Sequence, residues 1–134
     1  HEGAIVKTIG DAVMAAFVSP AQAVAAALEI QARIAEFNRP PAAGQGHPPL
    51  VIKLGIHAGP TIAVALNERH NYFGSTVNMT ARLQGESRGG EIVLSREIAE
   101  DPAIRPILAG RNLRPDQAAL KGYDQAVPFF RLLA

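Results

Sequence analysis

The residues of this sequence whose types and spacing could serve a phosphorylated ligand are Asp11, Asn78 and Arg82. Asp11 follows Gly10 between two apolar runs in AIVKTIGDAVMAAF, which places its carboxylate at the tip of an expected hairpin. Turn preference alone accounts for a Gly-Asp pair there. The functional alternative is a Mg²⁺ ligand, because magnesium takes one or two protein carboxylates and completes its shell with water and phosphate. Asn78 and Arg82, in TVNMTARLQ, are four residues apart and share one helix face. They form either a solvated stripe or a pair in which the guanidinium bridges phosphate oxygens and the amide holds a ribose. Lys7 lies four residues before Asp11, and Lys121 directly precedes Gly122. Each lysine taken alone is an ordinary surface charge. His47, His57 and His70 lack metal-ligand spacing and are assigned no role. There is no P-loop, no GxGxxG fingerprint and no nucleophile elbow.

The elements that must position these side chains follow from periodicity and turn chemistry. Residues 4–8 and 12–18 read as a hairpin. Ser19 and Pro20 open a helix as N-cap and first-turn proline, with Val24, Ala27, Leu28, Ile30, Ile34 and Phe37 at helical spacing. It is expected to end near Asn38, ahead of Pro40-Pro41 and a surface loop over 42–49. Residues 50–56 alternate as a half-buried strand, and 61–66 read as the strand that returns after Gly59-Pro60. Residues 67–71, NERHN, are expected to be an exposed polar loop. A helix should follow Gly74-Ser75, turning Val77, Ala81 and Leu83 inward and stopping at Gly89-Gly90. Residues 91–95 read as a strand whose Ser95 caps a short helix over 96–101. Residues 118–133 read as a last hairpin turning at 122–124. Hairpins mixed with helices predict an α+β sandwich, with helices on one face of a mostly antiparallel sheet.

Composition narrows the function classes. A chain of 134 residues that is 48% apolar supports one domain with a true core. Without cysteine there is no disulfide framework, thiolate zinc site or cysteine nucleophile. The 13 basic and 12 acidic residues are scattered, leaving no basic tract for nucleic acid. No apolar run approaches the roughly 20 residues of a membrane helix, so no membrane contact is expected of this segment. No signal peptide is expected within this segment. The chain opens on His1 and runs straight into an apolar segment, which reads as part of a longer protein.

Taken in order, KTIGDAVMAAF, LGIHAGP, NYFGSTVNMTARLQ, GEIVLS and LKG resemble the class III nucleotidyl cyclases, the adenylate and guanylate cyclase catalytic domain. The resemblance covers nearly the whole chain. It implies a single partial catalytic domain over 1–134, of ferredoxin-like βαββαβ build, lacking its first strand and the helices after it. It implies conversion of ATP to 3′,5′-cyclic AMP and pyrophosphate, with two Mg²⁺ or Mn²⁺ ions and composite sites at a homodimer interface. Asp11 resembles one of two metal-binding aspartates, the other lying upstream of His1. Asn78 resembles the residue that orients the ribose, and Arg82 the arginine that stabilises the α-phosphate. Lys121 resembles the lysine on the terminal phosphates, and Lys7 the lysine that reads adenine. Asn71 stands where adenine-specific members often carry an aspartate. Guanine-using members usually have glutamate in place of Lys7, so Lys7 favours adenine. The incomplete metal site implies that the 134-residue piece alone is inactive and that the parent protein is active; a cytoplasmic location is expected, with the parent open to membrane attachment through other domains. The resemblance also admits a guanylate cyclase, or a degenerate cyclase domain that binds nucleotide or dimerises as a regulatory module.

Overall fold

The computed structural model describes residues 3–9, 11–39, 48–60, 62–66 and 69–133, with the backbone alone at 7, 9, 62–66 and 69–73. The described elements are β1 (Ala4–Ile9), β2 (Ala12–Ala16), α1 (Pro20–Phe37), β3 (Leu54–Ile56), β4 (Ile62–Leu66) and β5 (Arg69–Phe73), then α2 (Ser75–Gly85), β6 (Glu91–Ser95), α3 (Arg96–Ala99), α4 (Arg105–Leu108), β7 (Asn112–Ala118) and β8 (Val127–Leu133). No described helix is long and apolar enough to cross a membrane.

The hairpin β1–β2 closes on the pair Ile9↔Ala12, and its register slips between Ile5 and Lys7, leaving an extra residue on β1. Such a bulge bends the strand and sharpens its twist. Helix α1 starts as expected. The Ser19 side chain accepts from Gln22 N at 3.3 Å, with Pro20 in the first turn. It ends at Phe37, and Asn38 then does a second job. Its Nδ2 donates to Leu50 O and its Oδ1 accepts from Leu50 N, both at 2.8 Å. The buried stripe of α1 is Val24, Ala27 and Gln31, whereas Ile30 and Phe37 are exposed. Gln31 Nε2 donates to Ile52 O and Glu91 O, each at 3.1 Å, pinning the approach to β3 against β6. These side-chain ties, with Gly90 N donating to Ile52 O, occupy the backbone before Leu54. The strand expected over 50–56 is therefore confined to Leu54–Ile56.

The central sheet has the order β3-β6-β8-β7, with β3 parallel to β6 and the other neighbours antiparallel. β4 does not return onto β3; it pairs with β5, antiparallel, from Ile62↔Phe73 to Leu66↔Arg69. The loop expected over 67–71 is thus corrected at residues 69–71, which belong to β5. Ladder pairing with β4 overrides the polar composition.

Every residue of β6 is buried. Ile92 and Leu94, with Leu132 of β8, face Val24 and Ala27 of α1, Ile98 of α3, and Ile104 and Leu108. Val93, with Phe129 of β8, faces Leu83 of α2 and Leu120. The α+β class and the mostly antiparallel sheet are as expected, and α1, α3 and α4 share one face; α2 is the exception and covers the other. A central strand buried on both sides requires cover on both. β7 extends the last hairpin to residue 112, past the expected start at 118. It lies at the sheet edge, where Pro115 is tolerated because no further strand needs its missing N–H.

Candidate active site

The site is built on α2. Two glycines of LGIHAGP let this helix approach the sheet. A Cβ on Gly55 would lie 2.5 Å from Gln84 N, and one on Gly59 would lie 2.6 Å from Thr76 Oγ1. Thr76 Oγ1 in turn donates to Pro60 O at 2.6 Å. Leu83 anchors the inner side and is fully buried, while Thr76 is buried too. Ala81, expected inward, is exposed; Thr76 takes the inward place because its hydroxyl finds the Pro60 carbonyl.

Asn78 and Arg82 are one turn apart on the exposed side of α2. Arg82 Nε donates to Lys121 O at 3.4 Å. Lys121 sits in a turn closed by Tyr123 N to Leu120 O at 3.1 Å, in which Gly122 has φ of 93°. A positive φ at that third position is the signature of a type II turn and favours glycine. Leu120, buried against Leu83 and Phe129, fixes the turn from below. Arg82 and the Lys121 backbone, 39 residues apart in sequence, therefore meet on one exposed edge, with Asn78 one turn away on α2. Among the described residues, neither cation has a carboxylate partner. An unpartnered guanidinium and ammonium beside an amide are suited to a polyanion carrying a sugar.

Residues 1–105 match the family described as the adenylate and guanylate cyclase catalytic domain. The chain belongs to this family. An uncharacterized protein of Mycobacterium tuberculosis is 32% identical over 121 residues, covering 87% of this chain and 41% of its own length. A protein named adenylate cyclase from Lachancea kluyveri is 30% identical over 117 residues, covering 75% of this chain and 6% of its own length. The crystal structure of the adenylyl cyclase CyaB from Pseudomonas aeruginosa superposes with a TM-score of 0.76 at 24% identity, over 98% of this chain and 72% of that one. That likeness shows a common fold. The chain spans less than half the length of these curated relatives.

The remaining cyclase-type positions lie on the hairpins. Asp11 stands in the turn between β1 and β2, exposed. No hydrogen bond or ion pair among the described residues joins it to Asn78, Arg82 or Lys121. Lys7 is on β1, opposite Met14, and Asn71 is on β5, opposite Val64. β1 lies beside β5, and β5 beside α2, so the backbones of both base-reading candidates are carried toward the α2 side. The Lys7 and Asn71 side chains lie outside the described residues. As to metal, Asp11 fits the part of a single magnesium ligand, a free carboxylate open to solvent. Among the described residues no three His, Cys, Asp or Glu side chains gather as a metal cage.

Sequence reasoning missed an ion network beneath this edge. Arg131 of β8 donates from Nη1 to Glu91 Oε1 and to Glu86 O, the latter at 2.9 Å, and from Nε to Asp116 Oδ2 at 2.8 Å. Its guanidinium carbon lies 5.2 Å from the centre of the Phe129 ring. Arg88 N also donates to Glu91 Oε1 at 2.9 Å. The Arg131 hydrogen bond, helped by Gln117 N, holds the Asp116 carboxyl below its ordinary 3.8. A charged pair within two strands gives no periodic signal, so nothing in the spacing marks Glu91 and Arg131 as buried partners. The one hint is the unbroken apolar company of GEIVLS and VPFFRLL.

His57 ends the segment after β3, half-buried, with Nδ1 3.8 Å from Glu97 Oε2. That nitrogen is buried without a hydrogen bond among the described residues. Burial lowers its pKa below 6.5, with Glu97 pulling less strongly the other way. The native state therefore favours neutral imidazole. The stability this contributes is complete above pH 6.5 and is lost as the pH falls from there through the lower native value. Denaturant midpoints of the parent protein should fall over that range, and the His57→Gln variant should flatten the fall.

Proposed function

We propose that this chain is the catalytic domain of an adenylate cyclase that converts ATP to 3′,5′-cyclic AMP and pyrophosphate at a site shared by two copies. The observation that carries the reading is the meeting of Arg82 with the Lys121 turn, beside Asn78, on the exposed edge of α2. In the reaction the ribose 3′-oxygen bonds to the α-phosphorus, the bond from that phosphorus to the β-bridging oxygen breaks, and the 3′-hydroxyl proton passes to solvent. Asn78 orients the ribose so that its 3′-oxygen lies in line with the leaving group. Arg82 meets charge that grows on the α-phosphate oxygens, stabilisation that counts most in the transition state. Lys121 grips the terminal phosphates. Lys7, with Asn71, reads the base. Divalent ions, Mg²⁺ or Mn²⁺, supply hydroxyl activation and charge neutralisation when bound, and Asp11 holds one side of that centre. The reading also includes a cytoplasmic location, set by where ATP is found.

The cyclase resemblance supports a homodimer in which each copy lends a different part. Asp11→Ala and Arg82→Ala variants of the full-length parent should each be nearly inactive. Mixed in equal amounts with subunit exchange, they should recover about a quarter of wild-type turnover, since half of the dimers then hold one intact site of two. Wild-type parent that forms no cyclic nucleotide from ATP overturns the reading; absence of recovery overturns the shared site. Base choice is tested by Lys7→Glu. A lysine donates to an acceptor nitrogen of adenine, while a glutamate accepts from the protonated ring nitrogen of guanine. The ratio of ATP to GTP turnover should fall by about tenfold or more in the variant. An unchanged ratio removes Lys7 from the base pocket.

A further inference from the structure

The cations of the α2 edge belong to pieces anchored separately. Arg82 rides on α2, and Lys121 on the connection between β7 and β8. At the surface they touch through a single exposed hydrogen bond of 3.4 Å, long for its type. Beneath them, besides Leu83 packed with Leu120 and Phe129, lies a second, polar tie. Arg131 reaches the carbonyl of Glu86, which caps α2 four residues after Arg82. The same guanidinium reaches Asp116 on β7, five residues before Lys121, and Glu91 on β6. Arg131 and Glu91 are both buried, and the Phe129 ring limits the plane of the fork. A guanidinium presents its donors in a rigid plane, so its contacts constrain one another in a way an ammonium cannot reproduce. A cation at the last carbonyls of α2 also complements the helix dipole.

We propose that Arg131 is a positioning residue for triphosphate binding: by joining Glu86 O, Asp116 and Glu91 it sets the spacing between Arg82 and Lys121. This rests on the cyclase reading and adds a determinant of phosphate recognition that touches no substrate. It also assigns Asp116 a part, as the link between Arg131 and the strand that leads to Lys121.

The test uses the full-length parent, with inorganic tripolyphosphate as the binding probe and ATP as substrate. Asp116→Asn keeps the shape and one acceptor but removes the charge that orients the fork. Arg131→Lys keeps the charge and removes the fork. Both should weaken tripolyphosphate binding and raise the KM for ATP by about tenfold, at a temperature where melting curves show the variants folded. Lys121→Ala should then cost less in the Asp116→Asn background than in wild type, because the contact it removes is already misplaced. A lowered melting temperature with unchanged tripolyphosphate affinity and KM overturns the proposal and leaves Arg131 a stabilising residue only. Wild-type affinity in Arg131→Lys, or strict additivity with Lys121→Ala, overturns it as well. If wild-type parent forms cyclic AMP yet binds no tripolyphosphate, the proposal falls and the cyclase reading stands; if it forms no cyclic nucleotide, the cyclase reading falls and the proposal falls with it. Wild-type binding with unaltered variants removes the proposal alone.

Discussion

Replacing Arg82 with alanine in the full-length parent should lower cyclic AMP formation by a factor of about 10³–10⁵, the range seen for arginines that stabilise phosphoryl-transfer transition states. Folding should be spared. Arg82 is exposed, and its described contact is the hydrogen bond to Lys121 O; exposed changes of this kind shift stability by about 0.5 kcal/mol or less. The inner side of the same helix turn, Leu83 against Val93, Leu120 and Phe129, carries the packing and is untouched. The loss should appear in kcat more than in KM, because the guanidinium meets charge that develops during attack. Arg82→Lys should fall between the two, keeping charge and losing the two-pronged geometry. Turnover assays and melting curves on the same preparations check both halves. A fall of less than tenfold would make the Asn78–Arg82 edge an ordinary solvated stripe.

Arg131→Ala should be the most destabilising single change in the described chain, by about 3–5 kcal/mol. Glu91 is as deeply buried as Arg131 and loses its cationic partner, retaining the Arg88 N–H. A buried carboxylate stripped of its counter-charge costs more than the pair was worth. Loss of the donor to Glu86 O adds an unsatisfied helix-end carbonyl. The denaturant midpoint should drop with little change in slope. The paired replacement Arg131→Met with Glu91→Leu should cost less than Arg131→Ala alone, since it removes both charges and fills the space. If the single change proves the milder one, the network is a solvated surface feature.

How much of this was legible in the sequence depends on whether local chemistry or distant partners decide an element. Helix α1 announced its start, because Ser19 and Pro20 act on their own first turn, and its end, because prolines follow Asn38. Strand β6 was plain from five residues buried on both sides. β5 was hidden, because NERHN is polar and became a strand only by pairing with β4. β7 was hidden by Pro115, which edge position makes acceptable. Along α1, Ile30 and Phe37 have the spacing of core residues yet face outward, and Gln31 occupies the inner stripe since two backbone carbonyls await it. For the site, the cyclase resemblance singled out Asn78, Arg82 and Lys121, and Arg82 hydrogen-bonds the Lys121 carbonyl with Asn78 one turn away. Periodicity gave no warning that Arg131 lies below them, because a buried ion pair matches no apolar pattern. Nor could it show that Gly55 and Gly59 serve as the bare ledge on which α2 rests.

The clasp between Asn38 and Leu50 has a practical side. Two short hydrogen bonds between one amide side chain and one backbone residue join the ends of the intervening stretch. The anchoring lies at those ends. Doubling the length of chain between them would cost only about 0.6 kcal/mol in closure entropy. That interval is thus a convenient port for grafting a fluorescent reporter or an affinity handle onto the domain, with the denaturant midpoint as the internal check that the clasp has held.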